Sequence, residues 1–107
     1  MDELLDLAYQ NHPKAQRLKP LGRKVIESLR TGEKNVAELA MVLDFDLENA
    51  ANKKRFYNVL RPLKNKGMIA NRRSQGVTRY YLSFDGFRYH LDRLRKTGDY
   101  WLKPVVD

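Results

Sequence analysis

Residues 52–83 read NKKRFYNVLRPLKNKGMIANRRSQGVTRYYLS, and the way this stretch divides decides the fold. Its first half has the pattern of a helix. At about 100° per residue, Phe56, Val59, Leu60 and Leu63 fall on one arc, the stripe a helix buries against a core. Lys66 and Gly67 close it with basic residues before a glycine, a common helix C-terminus. The second half changes period from 3.6 to 2. Met68 to Arg73 and Val77 to Ser83 read as two strands around Ser74-Gln75-Gly76, a glycine-containing turn of hairpin length. In the second strand Tyr80 and Leu82 alternate with Arg79 and Tyr81, so one face is apolar.

The same stretch holds the charge. Asn49 to Phe84 contain nine Lys or Arg and no Asp or Glu, whereas the 48 residues before hold seven basic and nine acidic groups. The 23 residues after hold five and four, so the net charge of +8 sits almost wholly in the middle. A one-signed field of this kind attracts polyanions. On the helix Lys54, Tyr57, Asn58 and Arg61 share the outward face, with Lys53 beside them. Arg and Lys donate to guanine, Asn pairs bidentately with adenine, and Tyr reaches phosphate or a thymine methyl. Arg72, Arg73 and Arg79 flank Gln75-Gly76, and a basic ribbon lies across phosphates or enters a narrow minor groove. A merely solvated face mixes both signs, and edge protection needs only a single charge. Neither accounts for this segment. The expected partner is double-stranded DNA.

Working outward, 107 residues suit one domain with a modest core. Charged residues make up 32%, but six Tyr, four Phe, one Trp and regular Leu spacing argue against disorder. The absence of Cys excludes disulfides and thiolate metal sites. MDELLDLAYQ is acidic and interrupted, unlike a signal peptide, and the longest apolar run, Leu39 to Leu43, is too short for a bilayer. The expectation is a cytoplasmic, nucleoid-associated protein with no membrane partner.

A short helix is expected over 3–11, ended by His12-Pro13, followed by a basic link from Lys14 to Lys19. A second helix starts at Pro20, with Leu21, Val25, Ile26 and Leu29 inward, and stops at Thr31-Gly32. Asn35 and Glu38 have capping-box spacing ahead of Val36, Leu39, Ala40 and Leu43. Asp44-Phe45-Asp46 breaks the chain, and helix resumes from about Leu47 to Lys66, with a kink from Pro62. Asp85 caps a last helix carrying Phe87, Leu91 and Leu94, closed by Thr97-Gly98 and followed by a tail that includes Val105 and Val106. The organisation is thus an N-terminal helix and link over 1–20, a core over 21–83 with its hairpin at about 68–83, and a C-terminal helix and tail over 84–107.

His12 and His90 are the only imidazoles, and no phosphate-binding glycine loop or metal-ligand spacing occurs. Neither an enzyme nor a cofactor is expected. Leu4, Leu5 and Leu7 at one end and Phe87, Leu91, Leu94, Tyr100 and Trp101 at the other exceed what the core needs. Such surplus apolar surface marks an interface, so a homodimer through the terminal segments is expected, the alternative being that both ends fold back on their own domain.

RFYNVLRPLKNKGMI followed by NRRSQGVTRYYLSFDGF resembles winged helix-turn-helix transcription regulators of the ArsR, MarR and PadR kind, including many archaeal ones. Leu60, Leu63, Gly67, Met68 and Ile69 match the end of their recognition helix. Tyr80-Tyr81-Leu82-Ser83 and Gly86 match their returning wing strand and the helix after it, and Val36-Ala37-Glu38-Leu39-Ala40 matches their first helix-turn-helix element. The resemblance spans roughly residues 21–95. It departs in a longer interval from Leu39-Ala40 to Leu60, where Asp46 to Asn52 adds a turn or short helix, and in lacking sensor cysteines. It implies a mainly α fold with a small β-hairpin, and DNA binding. With Asn58 and Arg61 on the helix face, the expectation is a sequence-specific transcription regulator with its helix in the major groove and its basic wing on the backbone or minor groove. The alternatives are a nonspecific chromosomal DNA-binding protein, or a winged-helix module for protein or RNA interaction.

Overall fold

The computed structural model describes residues 1–105; Val106 and Asp107, expected in the tail, lie outside the described residues. It is an α+β arrangement of α1 (Asp2–Tyr9), α2 (Ala15–Leu29), β1 (Lys34–Asn35), α3 (Val36–Val42), α4 (Ala50–Asn65), β2 (Ile69–Ser74), β3 (Val77–Leu82) and α5 (Phe84–Trp101). The three strands form one antiparallel sheet in the order β1-β3-β2. Nothing in two residues announces β1. It forms because β3 offers a free edge, and it pairs Lys34 with Tyr80 and Asn35 with Arg79.

Four boundaries differ from expectation. The basic link at 14–19 is the opening of α2, with Pro20 inside the helix. Leu18 is part of the reason: it is buried, and only a helix starting before it turns it inward beside Val25 and Leu29. α4 starts at Ala50 rather than Leu47, because Asn49 caps it by accepting from the Ala51 and Asn52 amides at 2.9 and 3.2 Å. The cap of α5 is Ser83, not Asp85: its hydroxyl accepts from the Gly86 amide at 2.9 Å. Asp85 sits in the first turn instead, where the helix dipole favours it. Finally, α5 runs through Gly98 to Trp101, held by the Leu102 amide donating to the Gly98 carbonyl at 2.8 Å.

The expected capping box is present, with Asn35 Oδ1 accepting from the Glu38 amide at 2.8 Å and Glu38 Oε1 from the Asn35 amide at 3.0 Å. Asp44 turns the chain between α3 and α4 in the left-handed region, at φ 59°. One apolar core joins α1 to α4 and the sheet, with Phe56, Val59, Leu60 and Leu63 of α4 at its centre and Ile69 and Tyr80 below. α1 is bound into it by Leu5 and Tyr9, and Leu4 and Leu7 pack against it in part. The N-terminal leucines expected as surplus interface surface cover the chain's own core instead. The Tyr9 ring is wholly buried, and its hydroxyl donates to the Val59 carbonyl at 2.6 Å. Gly22 makes room for it, since a Cβ there would lie 2.5 Å from the Tyr9 oxygen. Burial pushes the Tyr9 hydroxyl well above its ordinary pKa, so it remains a donor.

At the far side, Gly67 and Gly86 meet back to back. A Cβ on Gly86 would sit 2.7 Å from the Gly67 carbonyl oxygen, so the end of α4 and the start of α5 touch through bare backbone. Beyond that junction α5 leaves the body. The chain measures 61 × 32 × 23 Å with a radius of gyration of 16.1 Å, against roughly 13 Å for a compact domain of this length. Among the described residues, no helix is long and apolar enough to cross a membrane.

Candidate nucleic-acid interface

α4 presents its cations because its apolar side is fully engaged. With Phe56, Val59, Leu60 and Leu63 buried, Lys54 on the opposite arc faces solvent, while Asn58 and Arg61 border the α1–α2 corner. Lys53, Lys54 and Arg61 are exposed or nearly so and Asn58 is half-buried. Tyr57 is also half-buried, packed edge-on against Phe56 with ring centroids 5.1 Å apart. It lies on the side of α4 nearest the sheet: burial first, and the neighbouring Tyr57 second, raise the Tyr80 hydroxyl. Lys54, Asn58 and Arg61 therefore form the outward set, with Lys53 and Tyr57 on the flank towards the hairpin.

The basic surface has an acidic edge. Asp44, Asp46 and Glu48 occupy the turn before α4, where Asp46 Oδ1 accepts from the Glu48 amide at 3.0 Å. These carboxylates repel anions, and the first cation of α4 stands one turn into the helix, at Lys53.

On the hairpin the three arginines do not share a face. Arg72 lies directly across from Arg79, and Arg73 across from Thr78; directly opposed residues project from the same face, and consecutive ones from opposite faces. Two cations directly opposed are unfavourable. Glu33 relieves this pair, accepting from Arg72 Nη2 at 2.5 Å, and the Arg72 guanidinium also lies 5.6 Å from the Tyr81 ring centroid. Arg72 is thus tied to its own chain, while Arg73 and Arg79 have no ion-pair partner among the described residues. Gln75 sits at the exposed tip. It and Gly76 have φ of 53° and 77°, the double left-handed conformation of a two-residue hairpin turn.

The sequence alone leaves out a third group. Lys14 and Arg17 of the α1–α2 corner meet Arg55 and Asn58 of α4 around a notch of about 180 Å³ floored by Leu18, Leu21 and Phe45. A second concavity of about 330 Å³ adjoins it, where His12 and Pro13 face Asn58, Arg61 and Lys66. No carboxylate lines either one. None of Lys14, Arg17 and Arg55 has an ion-pair partner among the described residues. Reading 14–19 as a link hides the first two; with Lys14 the N-cap of α2 and Arg17 in its first turn, both stand at the start of that helix beside α4.

No protein-family model and no curated protein matches this chain. The interface rests on its residues alone. What they offer is donors and positive charge on three adjoining elements, with Asn58 lining both concavities. Apart from Glu33, paired with Arg72, and the carboxylates of the turn before α4, the titratable groups of this surface are cations, tyrosines and His12, an arrangement suited to holding an anion.

Proposed function

We propose that the chain is a winged helix-turn-helix protein that binds duplex DNA sequence-specifically as a homodimer and regulates transcription. The observation that carries this is the acid-free segment from Asn49 to Phe84, folded so that its cations lie on the outer face of α4 and on the adjoining hairpin. The order of elements supports it: α3, a tight turn, α4 as the reading helix, and β2–β3 as the wing. Lys54, Asn58 and Arg61 read base edges in the major groove. Arg73 and Arg79, with Gln75 at the tip, and Lys14, Arg17 and Arg55 on the opposite flank meet phosphates. A helix lying in the major groove has a strand of backbone on each side, and both flanks here are basic. A DNA partner fits a cytoplasmic, nucleoid-associated protein.

Selection of a preferred duplex from a random pool, followed by point variants, tests this. Asn58→Ala and Arg61→Ala are expected to cost roughly 1–3 kcal/mol each on the preferred duplex and little on random DNA. Arg73→Ala and Arg79→Ala weaken both duplexes alike, and Arg72→Ala does so less, because Glu33 already engages it. A pool that yields no preferred sequence, or helix variants that are silent on it, would remove the sequence-reading role.

A further inference from the structure

α5 is 18 residues long and contains no fully buried residue; of its apolar side chains only Phe87 packs, in part, against the chain's own core. Phe84 and Trp101 are each 73% exposed, and Leu91, Leu94 and Tyr100 are exposed as well. A helix that packs on a globular core shows a broad apolar stripe. α5 shows a narrow one: Phe84, Phe87, Leu91, Leu94, Gly98 and Trp101 follow one another at steps of three, four, three, four and three. This is the a/d spacing of a seam between two helices.

We propose that the seam receives α5 of a second copy of the chain, running antiparallel about a two-fold axis between Asp92 and Arg93. Phe84 then meets the partner's Trp101, Phe87 meets the partner's Gly98, and Leu91 meets the partner's Leu94. The order of side-chain sizes supplies the orientation. In a parallel pair the two glycines would face each other and leave a void, while tryptophan would crowd tryptophan. In the antiparallel pair the void at Gly98 is filled by Phe87.

Gly98 itself supports this. It is helical, where glycine is less favourable than alanine. Within its own chain a Cβ would meet only Leu102 Cδ1, at an ordinary 3.7 Å. Nothing in the single chain requires a glycine there, whereas a facing phenylalanine does.

The start of α5 also borders a groove of about 300 Å³ lined by Leu4, Ile26, Met68, Leu82 and Phe87, with Ser83 its only polar residue. Antiparallel pairing brings the partner's Trp101 beside Phe84 at the mouth of this groove, so seam and groove are covered together. Covering an aromatic side chain completely removes roughly 150–250 Å² from water. Phe84 and Trp101, the two leucines and the open part of Phe87 contribute the apolar area on each side of an interface whose standard size is ~800 Å² per partner. A surface complementary to itself on reversal is what a two-fold contact requires.

This inference rests on the two-copy reading above and gives it a surface and an orientation. Its test contains no DNA, so its failure leaves duplex binding to be judged separately. Light scattering should give twice the chain mass of 12.6 kDa at micromolar concentration. The single tryptophan is Trp101, so its emission should move to shorter wavelength as dilute protein is concentrated. The chain has no cysteine, so Phe84→Cys and Trp101→Cys can be oxidised separately and as a mixture. The mixture should form 84–101 disulfides, and neither variant should link to itself. Gly98→Leu keeps α5 helical by circular dichroism but should weaken the dimer at least about tenfold, whereas in a parallel pair it would fill the void and tighten it. A constant monomer mass with unchanged Trp101 emission up to tens of micromolar, self-linked variants, or a tighter Gly98→Leu dimer would each overturn the proposal.

Discussion

α4 and α5 have 16 and 18 residues, and both are amphipathic, yet the molecule uses them in opposite ways. α4 sinks its apolar side into the chain's own core and turns outward a face bearing one sign of charge. α5 packs only part of Phe87 on the body, leaves the rest of its apolar side open and carries mixed charge, with Asp85, Asp92 and Asp99 interspersed among Arg88, Arg93, Arg95 and Lys96. Amphipathicity alone does not say where a helix packs. The sign of the polar face and the period of the apolar one separate the two cases: a wide stripe under one-signed charge for α4, a narrow seam under balanced charge for α5.

The largest effect expected from this contrast is on stability. Phe56→Ala, at the centre of the core, should cost about 3–5 kcal/mol in urea unfolding. Phe84→Ala should leave the unfolding free energy of dilute monomer within about 0.5 kcal/mol. If the two cost the same, α5 belongs to the core and the contrast fails.

Next comes charge. Lys54→Glu on α4 and Arg93→Glu on α5 make the same change in net charge. The first should weaken duplex binding at least tenfold, about 1.4 kcal/mol, and the second by less than about twofold. Equal losses in fluorescence anisotropy would mean that only total charge matters.

A smaller effect concerns the pin that sets α1 against α4. Tyr9→Phe removes the hydrogen bond to Val59 and should cost roughly 0.5–1.5 kcal/mol. Burial raises the Tyr9 pKa above its ordinary value of about 10. The folded chain therefore keeps a proton that the unfolded chain loses in alkali. Its contribution is complete below about pH 10 and falls as pH rises beyond that. Denaturation midpoints between about pH 9 and 11 should decline less steeply in Tyr9→Phe, with Tyr80, also raised, supplying the remaining slope. An unchanged slope would place the alkaline sensitivity elsewhere.

The smallest expected change is at the hairpin tip. Gln75 holds a φ that favours glycine or asparagine, so Gln75→Gly should stabilise the fold by up to about 1 kcal/mol, measured by thermal unfolding. A loss of stability would mean that the glutamine side chain contributes more than its backbone strain costs.

Much of the body was legible in the residues. The inward arc of α4, the hairpin and the Asn35–Glu38 box each carry a local signal, a period or a fixed spacing, that needs no distant partner. What escaped depends on contacts between remote segments. β1 exists only as a neighbour of β3. Tyr9 gives no sign in sequence that it reaches Val59, 50 residues away. Proline at 20 reads as a helix start, yet Leu18 draws the helix back to Ala15, which in turn brings Lys14 and Arg17 to the flank of α4. Arg72 reads as a free cation because Glu33, 39 residues distant, lies outside the acid-free window. For the candidate interface, the residues on α4 were visible as a helix face, and the division of the hairpin arginines between two faces needed the strand register.

The most direct test of the central claim is a titration of labelled duplex DNA with the full chain across a series of salt concentrations. With about six phosphates neutralised, the logarithm of the binding constant should fall with the logarithm of salt at a slope near −5, and a preferred duplex should be bound more tightly than heparin at every point. Binding that ignores salt, or an affinity for heparin equal to that for every duplex tried, would contradict a sequence-reading surface built on α4.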